Sequence, residues 1–230
     1  MTLRSAPEIS LSRPPKLQAW DPDPALMEKW TPGLRAGPSR EPANGANTIS
    51  ILDVIGADGM TGDGVTARRI SVALRSITTE AITVDLNSPG GDFFEGVAIY
   101  NMLRADPRKV TVRILGLAAS AASVIAMAGD EVQIGRAGFL MVHNAWVVAI
   151  GNRHDMAAAA ETMMPFDAAM AEVYAAKADV DPEIAAEWMD SERWFTGAEA
   201  VEAGLADGFL AADVTRDGGV QPEAPSALRR

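Results

Sequence analysis

The chain has 230 residues, 48% of them hydrophobic, enough for one sizeable core or for one domain with tails. Lys and Arg number 20 against 31 Asp and Glu, and the resulting formal charge of −11 repels phosphate backbones and argues against a nucleic-acid partner. With no cysteine and two histidines, disulfides, thiolate chemistry and a His-rich metal centre are excluded, and neither metal nor cofactor is expected.

Eight of the 14 prolines fall within the first 42 residues. Residues 1–46 therefore read as a flexible Pro-rich arm with a short helix around "PALMEKW", either docked through Trp20 and Trp30 or free. No basic segment followed by an apolar one opens the chain, so no secretory signal is read and a cytoplasmic location is expected. The predicted domain covers 47–212 and begins with "TISILDVIG" as a strand. "GDGVTARRISVALRSI" follows as a helix with Val65, Ile70, Val72 and Leu74 at helical spacing. "AITVDL" is a strand, "DFFEGVAIYNMLRA" a helix and "KVTVRIL" a strand. "SAASVIAMAG" is a helix, and "EVQIG" and "GFLMVHNAW" are strands. A long Ala- and Met-rich helix runs from about Asp155 to Ala178, with Pro165 a point of bending. Asp181 and Pro182 start the next helix, and Thr196 with Glu199 forms a capping box for the last, closed by Gly204. Residues 213–230 read as a disordered tail.

The sixteen uncharged residues between Arg113 and Asp130 fall short of the roughly 20 apolar residues of a membrane-spanning helix and are rich in Ala, Gly and Ser. They read as a buried strand and a buried helix, so no membrane partner is expected. Strands alternating with helices predict an α/β protein with a layered sheet.

Four stretches carry groups able to do chemistry. Ser120 stands where a strand meets a helix, between Ala118, Ala119, Ala121 and Ala122. It is either a helix N-cap or a nucleophile at a sharp strand-to-helix turn, where small neighbours let backbone and substrate approach. Ser123, one turn into the helix, is the weaker candidate. "NSPGGDFFEG", residues 87–96, is either a plain turn or an oxyanion hole, in which Gly90 and Gly91 let a backbone N–H point at a carbonyl oxygen. A serine nucleophile needs a base. His143, closing "GFLMVH", is preferred to His154, which reads as a solvated loop residue. Asp190 and Glu192 share a loop between two capped helices, either as surface charge or as the acid that orients the histidine. Lys109 and Lys177 would serve a Ser–Lys alternative but sit in no recognised motif.

Four motifs occur in a telling order: "LNSPGG" (86–91), "GLAAS" (116–120), "MVH" (141–143) and "EAVEAGLAD" (199–207). In this order they resemble the proteolytic subunit of the Clp protease over about residues 48 to 210. The resemblance implies a ClpP/crotonase-like fold of stacked β-β-α units with a long protruding helix. It also implies a Ser–His–acid endopeptidase acting on protein or peptide substrates, assembled as a ring-forming homo-oligomer. Carried over, Ser120 is the nucleophile and His143 the base, while Gly91 and the amide of Ala121 form the oxyanion hole. Counting back from "EAVEAGL", Glu192 stands where the family usually has Asp; Asp190 takes the role if the loop is displaced by two residues.

The front end and "DGVTARRISVALRSI" are more similar to ClpP-related head maturation proteases of tailed phages, which implies capsid or scaffold proteins as substrates. The alternative is a housekeeping ClpP-type subunit. No G-x-x-x-x-G-K-[ST] motif occurs, so its ATPase would be a separate chain. A crotonase-type acyl-CoA enzyme and a catalytically dead capsid scaffold are the further alternatives.

Overall fold

The computed structural model describes residues 47–57 and 64–211. The arm expected over 1–46 and the tail expected over 213–230 lie outside the described residues. The expected α/β architecture is the observed one. Its strands are β1 (Thr48–Ile51), β2 (Ala81–Ser88), β3 (Lys109–Ala119), β4 (Glu131–Ile134), β5 (Phe139–Met141), β6 (Trp194–Thr196) and β7 (Gly208–Phe209). The helices are α1 (Ala67–Ser76), α2 (Phe93–Ala105), α3 (Ala121–Ala126), α4 (Arg153–Ala178), α5 (Pro182–Asp190) and α6 (Gly197–Glu202). β1-β2-β3-β4-β7 form a parallel sheet, β5 joins β3 in parallel, and β6 runs antiparallel to β5.

Period-two alternation sends Ile82, Val84 and Leu86 of β2 and Val110, Val112 and Ile114 of β3 into the core. The other face of the same strands is more polar. There Arg113 grips Asp85 across the strands with two hydrogen bonds, of 2.6 and 2.8 Å.

β3 positions the site. It pairs with β4 along Thr111–Ile114 and with β5 along Leu117–Ala119. Against β2 its register slips: Leu86 faces Ile114, but Ser88 faces Ala118. Two residues of β2 thus span four of β3, and β3 bulges at Leu115–Leu117. Asn87 fills the bulge. Its Oδ1 accepts the Leu117 amide at 2.9 Å and lies where a Cβ on Gly116 would come within 2.7 Å. The bulge re-aims the end of β3, immediately before Ser120.

Several expectations need correction. Val72 is 57% exposed, because Ile70 and Leu74 share the inward face and Val72 lies two residues round the helix from each. Val65 precedes α1 and bridges to Ile55 instead. The strand drawn through "GFLMVHNAW" ends at Met141, so His143 stands two residues past β5. His154 is exposed in the first turn of α4, capped by Asn152, and not in a loop. Asp181 occupies the N-cap of α5 without a side-chain capping bond, whereas the Thr196–Glu199 capping box forms as expected. α4 continues through Pro165 for 26 residues and buries Met170, Ala171, Tyr174 and Ala175, all in its second half.

Candidate active site

Ser120 lies between the last residue of β3 and the first of α3, with φ 56° and ψ −128°. A non-glycine residue in such a conformation costs on the order of 1–3 kcal/mol and persists where its surroundings hold it. They do so here: the Ser120 amide donates to Met141 O at 3.0 Å, and Ala119, Ala121 and Ala122 are buried around it. The side chain makes no capping bond to α3. It turns away from the helix, and its Oγ lies 2.7 Å from His143 Nε2.

The small residues around Ser120 follow from this geometry. A Cβ on Gly90 (φ 95°) would stand 2.5 Å from Ala119 O and 2.7 Å from Ser120 Cβ. One on Gly96 would stand 2.9 Å from Ala121 Cβ, so α2 packs against the turn at backbone distance. The loop 88–92 is held on both sides. Ile55 N donates to Gly90 O at 2.8 Å and Asp92 N to Ile55 O at 2.9 Å. These bonds occupy the amides of Ile55 and Asp92 and leave that of Gly91. Among the described residues neither the Gly91 nor the Ala121 amide has a protein acceptor. Two unused donors thus stand in the segments that flank Ser120.

His143 is half-buried. Val142 before it is tied to Arg193 O at 3.1 Å. Burial, the largest influence, holds the imidazole below its ordinary pKa, against the opposing pull of the Glu192 and Asp167 carboxylates. The ring is therefore neutral at neutral pH. A serine hydroxyl that donates to Nε2 requires the tautomer with its proton on Nδ1.

The acids are placed differently. Glu192 occupies an exposed turn before β6 at φ 49°, its amide bonded to Met189 O at 3.0 Å. Its charge acts on His143, but no hydrogen bond joins the two. Asp190, the last residue of α5, accepts from Asn144 Nδ2 at 2.7 Å. The sequence reading missed Asp167 on α4, which accepts the Ala145 amide at 2.8 Å and also acts on His143. Its signal was there to find: it is the one charge in the apolar run Met163–Ala171.

Ser123 is buried, donates to Ser120 O at 2.7 Å and meets Tyr174 OH at 2.7 Å. The two lysines of the Ser–Lys alternative are engaged elsewhere, Lys109 with Glu131 at 2.7 Å and Lys177 with Asp207 at 2.6 Å. Lys109 begins β3, eleven residues from Ser120, which at about 3.3 Å per residue is roughly 35 Å of strand.

A family model described as Clp protease matches residues 63–213. Similar curated proteins include the ATP-dependent Clp protease proteolytic subunit 3 of Rhodococcus jostii, 32% identical over 129 residues, 55% of this chain and 63% of that one. The proteolytic subunit of Deinococcus radiodurans is 28% identical over 143 residues, 60% of this chain and 68% of that one. Subunit 2 of Corynebacterium diphtheriae is 31% identical over 134 residues, 56% of this chain and 66% of that one. The chain thus spans less than two thirds of the length of the Rhodococcus relative.

Proposed function

The chain belongs to the Clp protease family, and from that premise we propose that it is a serine endopeptidase using Ser120 and His143. The observation that carries the proposal is the 2.7 Å contact between Ser120 Oγ and a neutral, half-buried imidazole at a strained strand-to-helix turn. In this reading His143 Nε2 takes the hydroxyl proton as Oγ attacks the scissile carbonyl carbon. The amides of Gly91 and Ala121 stabilise the oxyanion. Collapse of the tetrahedral intermediate passes the proton from His143 to the leaving amine, and water, activated by the same imidazole, releases the acyl group. Glu192 is the third member, steadying the imidazolium. Asp190 is left to hold Asn144.

The test is hydrolysis of a fluorogenic peptide by the wild type, Ser120→Ala and Ser123→Ala. Loss of activity in Ser120→Ala with a wild-type circular dichroism spectrum supports the reading; loss in Ser123→Ala alone overturns it. A crotonase-type enzyme has no need of the serine and would lose little in either variant.

The working form is a ring-forming homo-oligomer. In support, Trp146, Val147, Val148 and Ile150 are 63%, 57%, 68% and 72% exposed in the segment before α4, and Met164 on α4 is 67% exposed. Apolar side chains this exposed favour burial against another copy of the chain. A monodisperse monomer at micromolar concentration in light scattering would refute the assembly.

The biological role we propose is head maturation in a phage or prophage, with capsid or scaffold proteins as substrates and a cytoplasmic site of action. Its support is the resemblance carried by the front end and the "DGVTARRISVALRSI" segment. The relatives' designation as ATP-dependent proteolytic subunits favours a second reading, a housekeeping subunit served by a separate ATPase. Strong stimulation by an added hexameric ATPase, without cleavage of capsid or scaffold proteins encoded nearby, selects the second.

A further inference from the structure

α4 reaches the Ser120–His143 pair at two points. Asp167 and Tyr174 are seven residues apart, two helical turns, so both side chains leave α4 on one face. Asp167 Oδ1 accepts the amide of Ala145 at 2.8 Å, two residues beyond His143. Tyr174 is 1% exposed and its hydroxyl meets Ser123 Oγ at 2.7 Å. Ser123 already donates its one proton to Ser120 O at 2.7 Å, so Tyr174 is the donor in their contact. Burial holds the Tyr174 hydroxyl far above the ordinary phenol pKa, so it remains a donor at every working pH. The two contacts bracket the pair: one ends on the backbone of Ser120, the other on the turn that carries His143.

That turn needs holding. Beyond Met141 the chain belongs to no strand, and regular structure resumes only at α4. His143 is fixed before the ring by the Val142–Arg193 bond, and after it by Asn144 on Asp190 and Ala145 on Asp167. Of these anchors, Asp167 is the one that fixes the backbone on the far side of the imidazole.

We propose that Asp167 is a positioning residue for His143, clamping residues 143–145 through the Ala145 amide, while Tyr174 holds Ser120 through Ser123. One face of α4 thereby sets the distance between nucleophile and base. The proposal rests on the Ser–His peptidase reading. A displacement of about 1 Å in such a pair lowers turnover on the order of a hundredfold, so a clamp of this kind is visible in kcat.

The charged groups acting on the imidazole are Glu192, on the turn before β6, and Asp167, from α4; Asp190 is engaged with Asn144. Asp167→Asn keeps an oxygen for the Ala145 amide and removes the charge. Asp167→Ala removes both. The experiment measures kcat and KM for a peptide, and the rate of fluorophosphonate labelling of Ser120, from pH 5 to 8 on the full chain.

Asp167→Asn is expected to keep its plateau kcat within about threefold while the acid limb moves to lower pH, because a carboxylate favouring the imidazolium is gone. Asp167→Ala is expected to lose about tenfold or more in plateau kcat with KM unchanged, and Tyr174→Phe to lose severalfold in the same parameter. Wild-type plateau and acid limb in both Asp167 variants would overturn the clamp. If Asp167→Ala does not fold, the plateau kcat of Tyr174→Phe decides, and a wild-type plateau there overturns the proposal. A wild type that takes no label at Ser120 overturns the peptidase reading itself. A labelled wild type with indifferent variants overturns the clamp alone.

Discussion

Ser120 and His143 follow the ends of adjacent parallel strands, by one and two residues, whereas the carboxylates come from a turn and from helices. Pairing of Leu117–Ala119 with Phe139–Met141, extended by the bond from Ser120 N to Met141 O, brings the two segments side by side, and the bonds of Val142 and Ala145 to Arg193 and Asp167 hold the turn that carries His143. The Ser120 and His143 side chains meet at 2.7 Å. Glu192 sits on an exposed turn whose backbone is tied at Ser191, Glu192 and Arg193, yet its carboxylate reaches His143 through its charge rather than by contact. Sheet register and the bonds around the His143 turn bring Ser120 and His143 into hydrogen-bond contact, while the Glu192 carboxylate acts on the pair from a distance. The nucleophile side should therefore be intolerant of small steric changes, and the acid side should show graded, electrostatic responses.

The largest effect is expected at Gly90. Gly90→Ala places a methyl group 2.7 Å from Ser120 Cβ at a φ of 95°. It should lower kcat by roughly a hundredfold or more by displacing the turn and its oxyanion donor, and destabilise the fold by about 1–3 kcal/mol. Peptide hydrolysis and denaturant titration read both; a stable, fully active Gly90→Ala would break the contrast between the two halves.

On the acid side, Glu192→Gln should lower kcat by about 10- to 100-fold, less than the ~10⁴ seen where the acid is bonded directly to the histidine. Asp190→Asn should cost less than about threefold. The reverse ranking in steady-state kinetics would move the role to Asp190.

The pH profile sharpens the same point. In the proposed mechanism His143 must be neutral to accept the serine proton, and burial lowers its pKa, so the acid limb of kcat/KM should lie below the ordinary imidazole value of about 6.5. Glu192 favours the protonated ring, so Glu192→Gln should carry the limb to still lower pH. A limb that moves upward in that variant would contradict the assigned sign.

The smallest effect is expected far from both halves. Val72 lies on the solvent side of α1, and Val72→Thr should leave activity unchanged and stability within about 0.5 kcal/mol in a denaturant titration.

What the sequence disclosed follows from what local patterning encodes. The strand–helix order is legible because period-two and helical spacing are local, and "GLAAS" is legible because only small residues fit around Ser120. The role of Gly116 was not, since its partner, Asn87, lies 29 residues earlier and meets it only through a slipped strand register. Asp167 stands out as the one charge in an apolar run, but what it holds, the backbone amide of Ala145, is advertised by no residue identity.

That Ser120 and His143 act as one unit is tested most directly by labelling with a fluorophosphonate followed by peptide mass mapping. One adduct per chain is expected on Ser120, formed at a rate that falls with pH as His143 protonates and lost in His143→Ala. An adduct on Ser123, or labelling of Ser120 indifferent to pH and to His143→Ala, would contradict it.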